Sequence, residues 1–588
     1  MFRKNKAHLQ PPLFSEVQSL PNKVRRRLEE SWAGVFYQEC FRRINEENFA
    51  VLYTDKASRP NVPVNILVGL ECLKAGFGWS DEEMYDQFLY NIQVRYALGL
   101  NELNSSHFDL RTVYNFRRRL SQYRQEADID LMANLFAEMT GEQVAAFKVR
   151  TGMQRMDSSQ ISSDIADISR LQLVVEGLVR LSGLLDENQR ANYEAQLAPY
   201  LKYKPQQYTY HVKGRIETQN HLQEAGTVLA QLLADLADSA AEAETYQLVA
   251  RLFDDNFNLS TTDAVVVKAN NEIASGALQS LSDREATFRR KGGEGYKGYV
   301  FNISQTCDPA NELQLITHIQ TAPNNVDDAT LLVDALPILT QQTELDTLYS
   351  DGGYGSPDAD QALQKHGVDL HQTGLRGNAP DPDYFCLADF QMSYDEEGRP
   401  TYIACPKGQI VPVLPARKTG FFARFDTARC LACPAFQGIC RVRLLKTKDI
   451  CQLNFTQEQA FWARRRRRYR QLKADKRDLR AAVEAAVRTI KHPFRGKLPI
   501  RGIARVSDLL TASAIMANVR SILRYHKRKR RAETAPQVQE LQQEFKKNTA
   551  TGCAGLFLSH LAQPIYPTGS TMFGICVMFQ LLTCMFFQ

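Results

Sequence analysis

Apolar residues recur at helical spacing over much of the first 145 positions. From Val62 to Tyr90 (VPVNILVGLECLKAGFGWSDEEMYDQFLY) they follow the rhythm of amphipathic helices. Ser80 precedes Asp81, Glu82 and Glu83, the signature of a helix start with acids in its first turn. A second start falls at Ser105-Ser106 or Asp109 and leads into LRTVYNFRRRL. Short helices ending in a basic one suit a helix-turn-helix layout, and equally a helical bundle with a basic rim. The rhythm then changes. In FKVRTGMQRMDSSQISS, Val149, Thr151, Met153, Arg155 and Asp157 fall on one side of an extended chain, which predicts a strand ending near Asp157. Helical spacing resumes from 164 to 285. Two strands follow, GYKGYVFNISQT from Gly295 and LQLITHIQTA from Leu313. NNVDD then opens the helix ATLLVDALPIL, and the strand LDTLYS ends at Asp351. From Pro380 to about Phe461 there are short extended pieces and six cysteines.

Beyond this lies an arginine run and one more periodic stretch. Leu479, Ala482, Val483, Ala486, Val487 and Ile490 form an apolar helical face. The opposite face gathers Arg477, Arg480, Glu484, Arg488 and Lys491. One carboxylate among cations fits a metal-binding acid flanked by phosphate-gripping groups. It also fits a surface helix laced with i, i+4 ion pairs.

Composition adds boundaries. A chain of 588 residues with 44% apolar and 23% charged positions is an ordinary globular protein of about three or four domains. The net charge of +6 is modest, but basic residues cluster at Lys23–Arg27, Arg117–Arg119, Arg464–Arg470 and Lys527–Arg531. Such runs point towards a polyanion. No apolar signal stretch follows the charged N-terminus, so a cytoplasmic location with reduced thiols is expected. After Lys547 the last 41 residues carry no Asp, Glu, Lys or Arg, and the last 18 are mostly apolar. This tail reads as an extension, not as a membrane anchor.

Asp157 and Asp351 each sit at a predicted strand end, followed by small residues. Ligands and catalytic groups collect at strand ends in open α/β sheets. Glycines 352, 353 and 355 are expected to let a substrate or metal come close. With Glu484 from a helix, three carboxylates can hold two hard divalent cations about 3.5–4 Å apart. Rival acids are Asp164, which reads as a helix cap, and Asp327 or Asp328 at a helix start.

The set RMDSSQI, LYSDGGYGS and RAAVEAAVRTIK, in this order, resembles the DDE transposases of bacterial insertion sequences. The family's third acid belongs to a spaced Tyr, Arg, Glu, Lys signature. Arg480, Glu484 and Lys491 match its last three members, and Arg477 stands at the tyrosine position. VPVNILVGLECLKAGFGWSDEEM with FDLRTVYNFRRRL is similar to the family's InsH-like N-terminal domain. SDREATFRRKGGEGYKGYV and RGIARVSDLLTASAIMANVRSIL are similar to stretches flanking the second and third acids. The likeness spans roughly residues 30 to 530.

The resemblance implies an α/β fold with a ribonuclease H-like core built from residues 146–160, 290–375 and 462–530. A helical DNA-binding domain (29–145) precedes it, a helical insert (161–289) and a cysteine-rich insert (376–461) interrupt it, and a tail (531–588) follows. It implies cutting of DNA at the ends of a mobile element and joining to a target, with Asp157, Asp351 and Glu484 holding magnesium or manganese. Arg464, Arg465, Arg466, Arg467, Arg468, Arg480, Arg488 and Lys491, with Arg117, Arg118 and Arg119, would hold DNA. Acids close in sequence, Asp475 and Asp478 among them, are too few to neutralise the arginine run, so an external polyanion is expected there. A homodimer or higher multimer on DNA, in the bacterial cytoplasm at the nucleoid, is implied as well. Two alternatives stay open: a catalytically inactive DNA-binding derivative, and a metal-dependent nuclease that never joins strands.

Cys405, Cys430, Cys433 and Cys440 supply four thiolates, two of them in a C-x-x-C knuckle. That is enough for one tetrahedral, structural zinc. Cys386 and Cys451 are spare candidates, and four buried thiols without metal are the other reading.

Overall fold

The computed structural model describes residues 1–550 except 11–14, 55, 57–58, 263, 376–379, 396–397, 417–418, 437, 446–448 and 476–478. For 472, 474–475 and 535–550 only the backbone is described. Arg477 and, beyond Ala550, the uncharged tail lie outside the described residues. No helix among the described residues is long and apolar enough to cross a membrane.

The chain divides into two compact units: residues 1–4, 44–85 and 108–518, and residues 5–43, 86–107 and 519 onward. The expected domain 29–145 is therefore shared between units. The reason is packing in the second unit, where the helix Trp32–Glu39 lies against Ile92–Ala97. Arg95 is fully buried there, donating to the carbonyls of Phe88, Glu102 and Ser105.

The first unit holds the strands. In chain order they are β1 (Met153–Ser162), the short pair β2 (Phe257–Leu259) and β3 (Val265–Val267), then β4 (Thr287–Lys291) and β5 (Glu294–Thr306). Next come β6 (Ile316–Pro323), β7 (Thr347–Ser350) and β8 (Asp369–Gln372). The cysteine-rich segment adds β9 (Gln391–Tyr394), β10 (Pro400–Ala404), β11 (Ile410–Pro415), β12 (Phe421–Phe425), β13 (Arg443–Leu445) and β14 (Ile450–Phe455).

The larger role falls to the sheet ordered β6-β5-β1-β7-β8, with β4 sharing the β6 side of β5. β5 runs antiparallel to both β1 and β6, while β1, β7 and β8 are parallel. The helices Asp328–Gln342 and Pro357–Lys365 make the parallel crossovers and bury Leu332, Leu336, Leu339 and Leu363 against Met156, Leu348 and Leu370. Asp327 caps the first of these helices by accepting from Thr330 N at 2.8 Å. Asp328 is buried and accepts from Ser158 Oγ at 2.6 Å.

Between β1 and β4 the chain leaves the sheet for five helices, Arg170–Ser182, Glu187–Leu201, Pro205–Tyr210, Arg215–Ala240 and Glu244–Asn256, and the β2–β3 hairpin. They bury a core of their own around Val175, Leu178, Leu229, Leu232 and Val249. Asp164 is not a helix cap, because Ser169 caps the first of these helices and Asp164 pairs with Arg501 at 3.3 Å. The cysteine-rich segment forms a separate antiparallel sheet, ordered β13-β14-β12-β11-β10-β9.

Candidate active site

Register brings the first two acids together. β1 and β7 pair in parallel up to Arg155 opposite Tyr349. Asp157 and Asp351 each follow two residues later, so they stand side by side beyond the paired stretch. The strand expected to end near Asp157 continues to Ser162, because its other edge stays paired with β5 as far as Gly298. Asp157 is thus a mid-strand residue whose neighbour on one side has ended. Asp157 is buried there, Asp351 is half-buried and Glu484 is exposed.

Glu484 arrives in the first turn of the helix Val483–Lys491, whose buried Val483, Ala486, Val487 and Ile490 pack it against the sheet. This helix starts later than its apolar pattern suggested, and Ala482 is exposed. Arg480 lies among all three acids. Its guanidinium is 3.4 Å from Asp157, 3.9 Å from Asp351 and 3.7 Å from Glu484. Burial pushes the Asp157 carboxyl up from its ordinary value; Arg480 opposes this and Asp351 adds to it. Burial works against the charge on Arg480, yet Asp157 and Asp351 hold its pKa above the usual value. The arrangement is an anionic cluster whose charge one cation offsets in part.

Supporting groups surround the cluster. Asp351 Oδ1 accepts from Gly353 N at 2.7 Å. Tyr354, fully buried, donates to Asn302 Oδ1 at 2.7 Å. Burial, then the carboxylates of Asp328, Asp157 and Asp351, keep its phenol protonated. The glycines do not open space for a substrate as expected. A Cβ on Gly352 would lie 2.8 Å from Gly374 O, and one on Gly355 would lie 2.1 Å from Arg465 Nη1. They admit this chain's own backbone and an arginine.

The expected DNA-binding cations separate into groups. Arg488 is exposed on the Glu484 helix. Lys491 turns back to β1, donating to Ser159 Oγ at 3.1 Å and Gln160 O at 2.8 Å. Arg464 to Arg468 occupy a different helix, Gln457–Asp475, so the Glu484 helix does not reach back to them. Within that run Arg465 is buried against Asp360 at 3.2 Å and lies over the Trp462 ring. Burial pushes Asp360 up to about 6 even against Arg465. Arg468 pairs with Asp369. The expectation that local acids are too few missed these partners, which the fold brings from roughly a hundred residues away. Arg466 is half-buried. Arg464 and Arg467 join Arg468 along a cleft of about 470 Å³ that also shows Tyr394.

Arg117 is no surface cation either. It donates to Glu71 at 2.8 Å and makes two bonds to Asp81 at 2.6 and 2.9 Å, with its side chain only 14% exposed. Arg118 and Arg119 are exposed, Arg119 over the Tyr53 ring. Although burial opposes it, Arg117 and Lys74 hold the Asp81 carboxyl at about 2. Its contribution to stability is therefore present above about pH 4 and is lost as pH falls towards 2. Arg117→Gln leaves Glu71 without its cation and Asp81 with Lys74 alone, and should cost about 3–5 kcal/mol of stability in a urea titration. DNA affinity per folded molecule should not change. Weakened DNA binding at unchanged stability would return Arg117 to the DNA interface.

Cys405, Cys430, Cys433 and Cys440 line one cavity of about 180 Å³. Gln409 N donates to Cys405 Sγ at 3.3 Å, and Cys433 N closes a turn on Cys430 O. Burial foremost, then neighbouring Cys451, push the Cys430 thiol up to about 12. Cys440 is raised by burial and by Cys433 and Cys405. Cys386 takes a bond from Arg470 at 3.6 Å, and neither it nor Cys451 lines the cavity. The donor chemistry fits a soft divalent ion, as the carboxylate cluster fits a hard one. Among the described residues no group of three or more such side chains is drawn into metal-ligating distance.

Residues 26–119 match the family model described as a transposase domain (DUF772). Neither the curated proteins nor the solved structures contain a match to this chain. The family match supports a transposase role, and such a role implies DNA as the partner.

Proposed function

We propose that the chain is a DDE transposase that cuts the ends of a mobile DNA element and joins them to target DNA. The observation that carries this is the meeting of Asp157, Asp351 and Glu484 around Arg480, from two parallel strands and one helix. The strand order β6-β5-β1-β7-β8 with only β5 reversed supports a ribonuclease H-like reading of the core. The transposase-domain match supports it from an independent part of the chain.

Asp157, Asp351 and Glu484 would hold magnesium or manganese, which when bound activates water or hydroxyl and stabilises charge at the phosphate. The chain's own groups do the positioning. Arg480, within 4 Å of all three acids, would offset part of their charge and meet the scissile phosphate. Exposed Arg488 and the cleft of Arg464 and Arg467 hold flanking phosphates. In cleavage, water oxygen bonds to phosphorus, the 3′ oxygen leaves, and a 3′ hydroxyl results. In joining, that hydroxyl attacks a target phosphodiester, whose own 3′ oxygen leaves. No covalent enzyme intermediate is needed. Four cysteine thiolates would hold a structural zinc remote from this chemistry.

The test uses the genomic DNA flanking the coding region, incubated with the full chain and magnesium. Nicked element ends and target-joined products are expected. Cleavage without joined products would leave a nuclease. Binding without cleavage would leave a DNA-binding derivative.

A further inference from the structure

The helical insert carries a surface that none of the groups above uses. From Ala195 to Ile216 there is no acid, while Lys202, Lys204, Lys213 and Arg215 fall within the stretch. It spans the end of the helix Glu187–Leu201, the short helix Pro205–Tyr210 and the start of Arg215–Ala240. All four cations are exposed, and among the described residues no ion pair forms to any of them. Large apolar groups are exposed beside them: Tyr210 at 77%, Ile216 at 80%, Leu201 at 50% and Tyr203 at 48%. The Lys202 ammonium lies over the Tyr203 ring, 5.3 Å from its centre.

The segment is held in place from below. Tyr200 is buried and packs on Tyr208, whose hydroxyl bonds His221 Nδ1 at 2.8 Å. Two tyrosines therefore anchor the segment and two others stay outside. Exposed aromatic rings among unpaired cations are costly to leave idle, since ring burial is among the larger apolar gains available. The charge disfavours a basic partner and favours a polyanion over a neutral one. The rings select one with accessible flat faces. Duplex DNA hides its base faces, whereas unpaired DNA offers both phosphates and bases.

We propose that this end of the insert binds unpaired DNA, with Tyr203 and Tyr210 stacking on bases and Lys202, Lys204, Lys213 and Arg215 meeting phosphates. The inference rests on DNA being the partner. It adds that the partner is distorted or single-stranded where it meets the insert.

The experiment compares the full chain with a Tyr203→Ala, Tyr210→Ala double variant on two probes, a blunt duplex and the same duplex with an unpaired thymine flap. Both side chains are largely outside the core, so folding is expected to be unaffected, and a thermal melt checks this. The wild type should prefer the flap, and the variant should lose on the order of tenfold or more on the flap with duplex binding little changed. Iododeoxyuridine in the flap should photocrosslink to Tyr203 or Tyr210, read by peptide mass spectrometry. Equal loss on both probes, no loss on either, or crosslinks only elsewhere would overturn the inference and leave the transposase reading standing. Failure of the wild type to bind either probe would remove both. Binding to phosphatidylglycerol vesicles that the double variant loses, with flap binding intact, would overturn it in favour of a lipid surface.

Discussion

Asp351→Asn should abolish magnesium-dependent strand cleavage, by at least about 10³-fold, while DNA affinity stays close to that of the unaltered chain. The same is expected of Asp157→Asn and Glu484→Gln. The amide keeps the shape of the carboxylate and removes its charge, so the loss would be one of cation binding and not of packing. Stability gives an internal control. Asp157 and Asp351 repel each other across neighbouring strands, and Arg480 keeps two acidic partners when any one is neutralised. The thermal midpoint should therefore move little or rise. Full cleavage by any one variant would remove that residue from the site. Inactivity accompanied by a large drop in midpoint would make the result one of folding.

The second large effect concerns the cysteine-rich sheet. We expect about one zinc per chain, lost when Cys430 and Cys433 are both replaced by Ser. Apparent binding energies of structural zinc run to about 10–16 kcal/mol, more than a sheet of this size gains from its own core. That core is built around Phe390, Ile403, Ala423, Phe425, Leu453 and Phe455. Cys405, Cys430, Cys433 and Cys440 line a shared cavity, where Gln409 donates to the sulfurs of Cys405 and Cys430. The double variant should open β9–β14 to protease while the sheet that bears Asp157 stays protected. Elemental analysis of freshly purified, folded chain showing no zinc would defeat the expectation.

Much of this was readable along the chain, and the failures have physical causes. The strand bearing Asp157, the strand ending at Asp351 and the amphipathic Glu484 helix are local patterns, and local patterns survive folding. The capping pair Ser80–Glu83 forms, with bonds of 2.7 and 3.1 Å. What local pattern cannot carry is pairing between distant segments. The partners of Arg465 and Arg468 are Asp360 and Asp369, which no spacing rule connects to an arginine run. Arg117 sits in a run of three arginines that looks uniform, yet helical geometry turns only that one inward. The glycines after Asp351 were legible as close approaches, but the approaching atoms belong to Gly374 and Arg465.

The insertion of a whole helical unit between β1 and β5 also sets a timetable for synthesis. Asp157 and Glu484 lie 327 residues apart in sequence. At about 5–20 residues per second, roughly 16–65 s of translation separate them. The helical insert has its own core and can fold on the ribosome in that interval. The strands leading to Asp157 and Asp351 cannot: β1 must wait for β5 and then β7, the Glu484 helix comes later, and the helix from Ile503, whose Asn518 bonds Ile316 of β6, later still. A nascent or prematurely terminated chain therefore carries one or two acids without the third. On the proposed function, a product that stops before residue 484 would lack the third acid and with it the ability to break DNA.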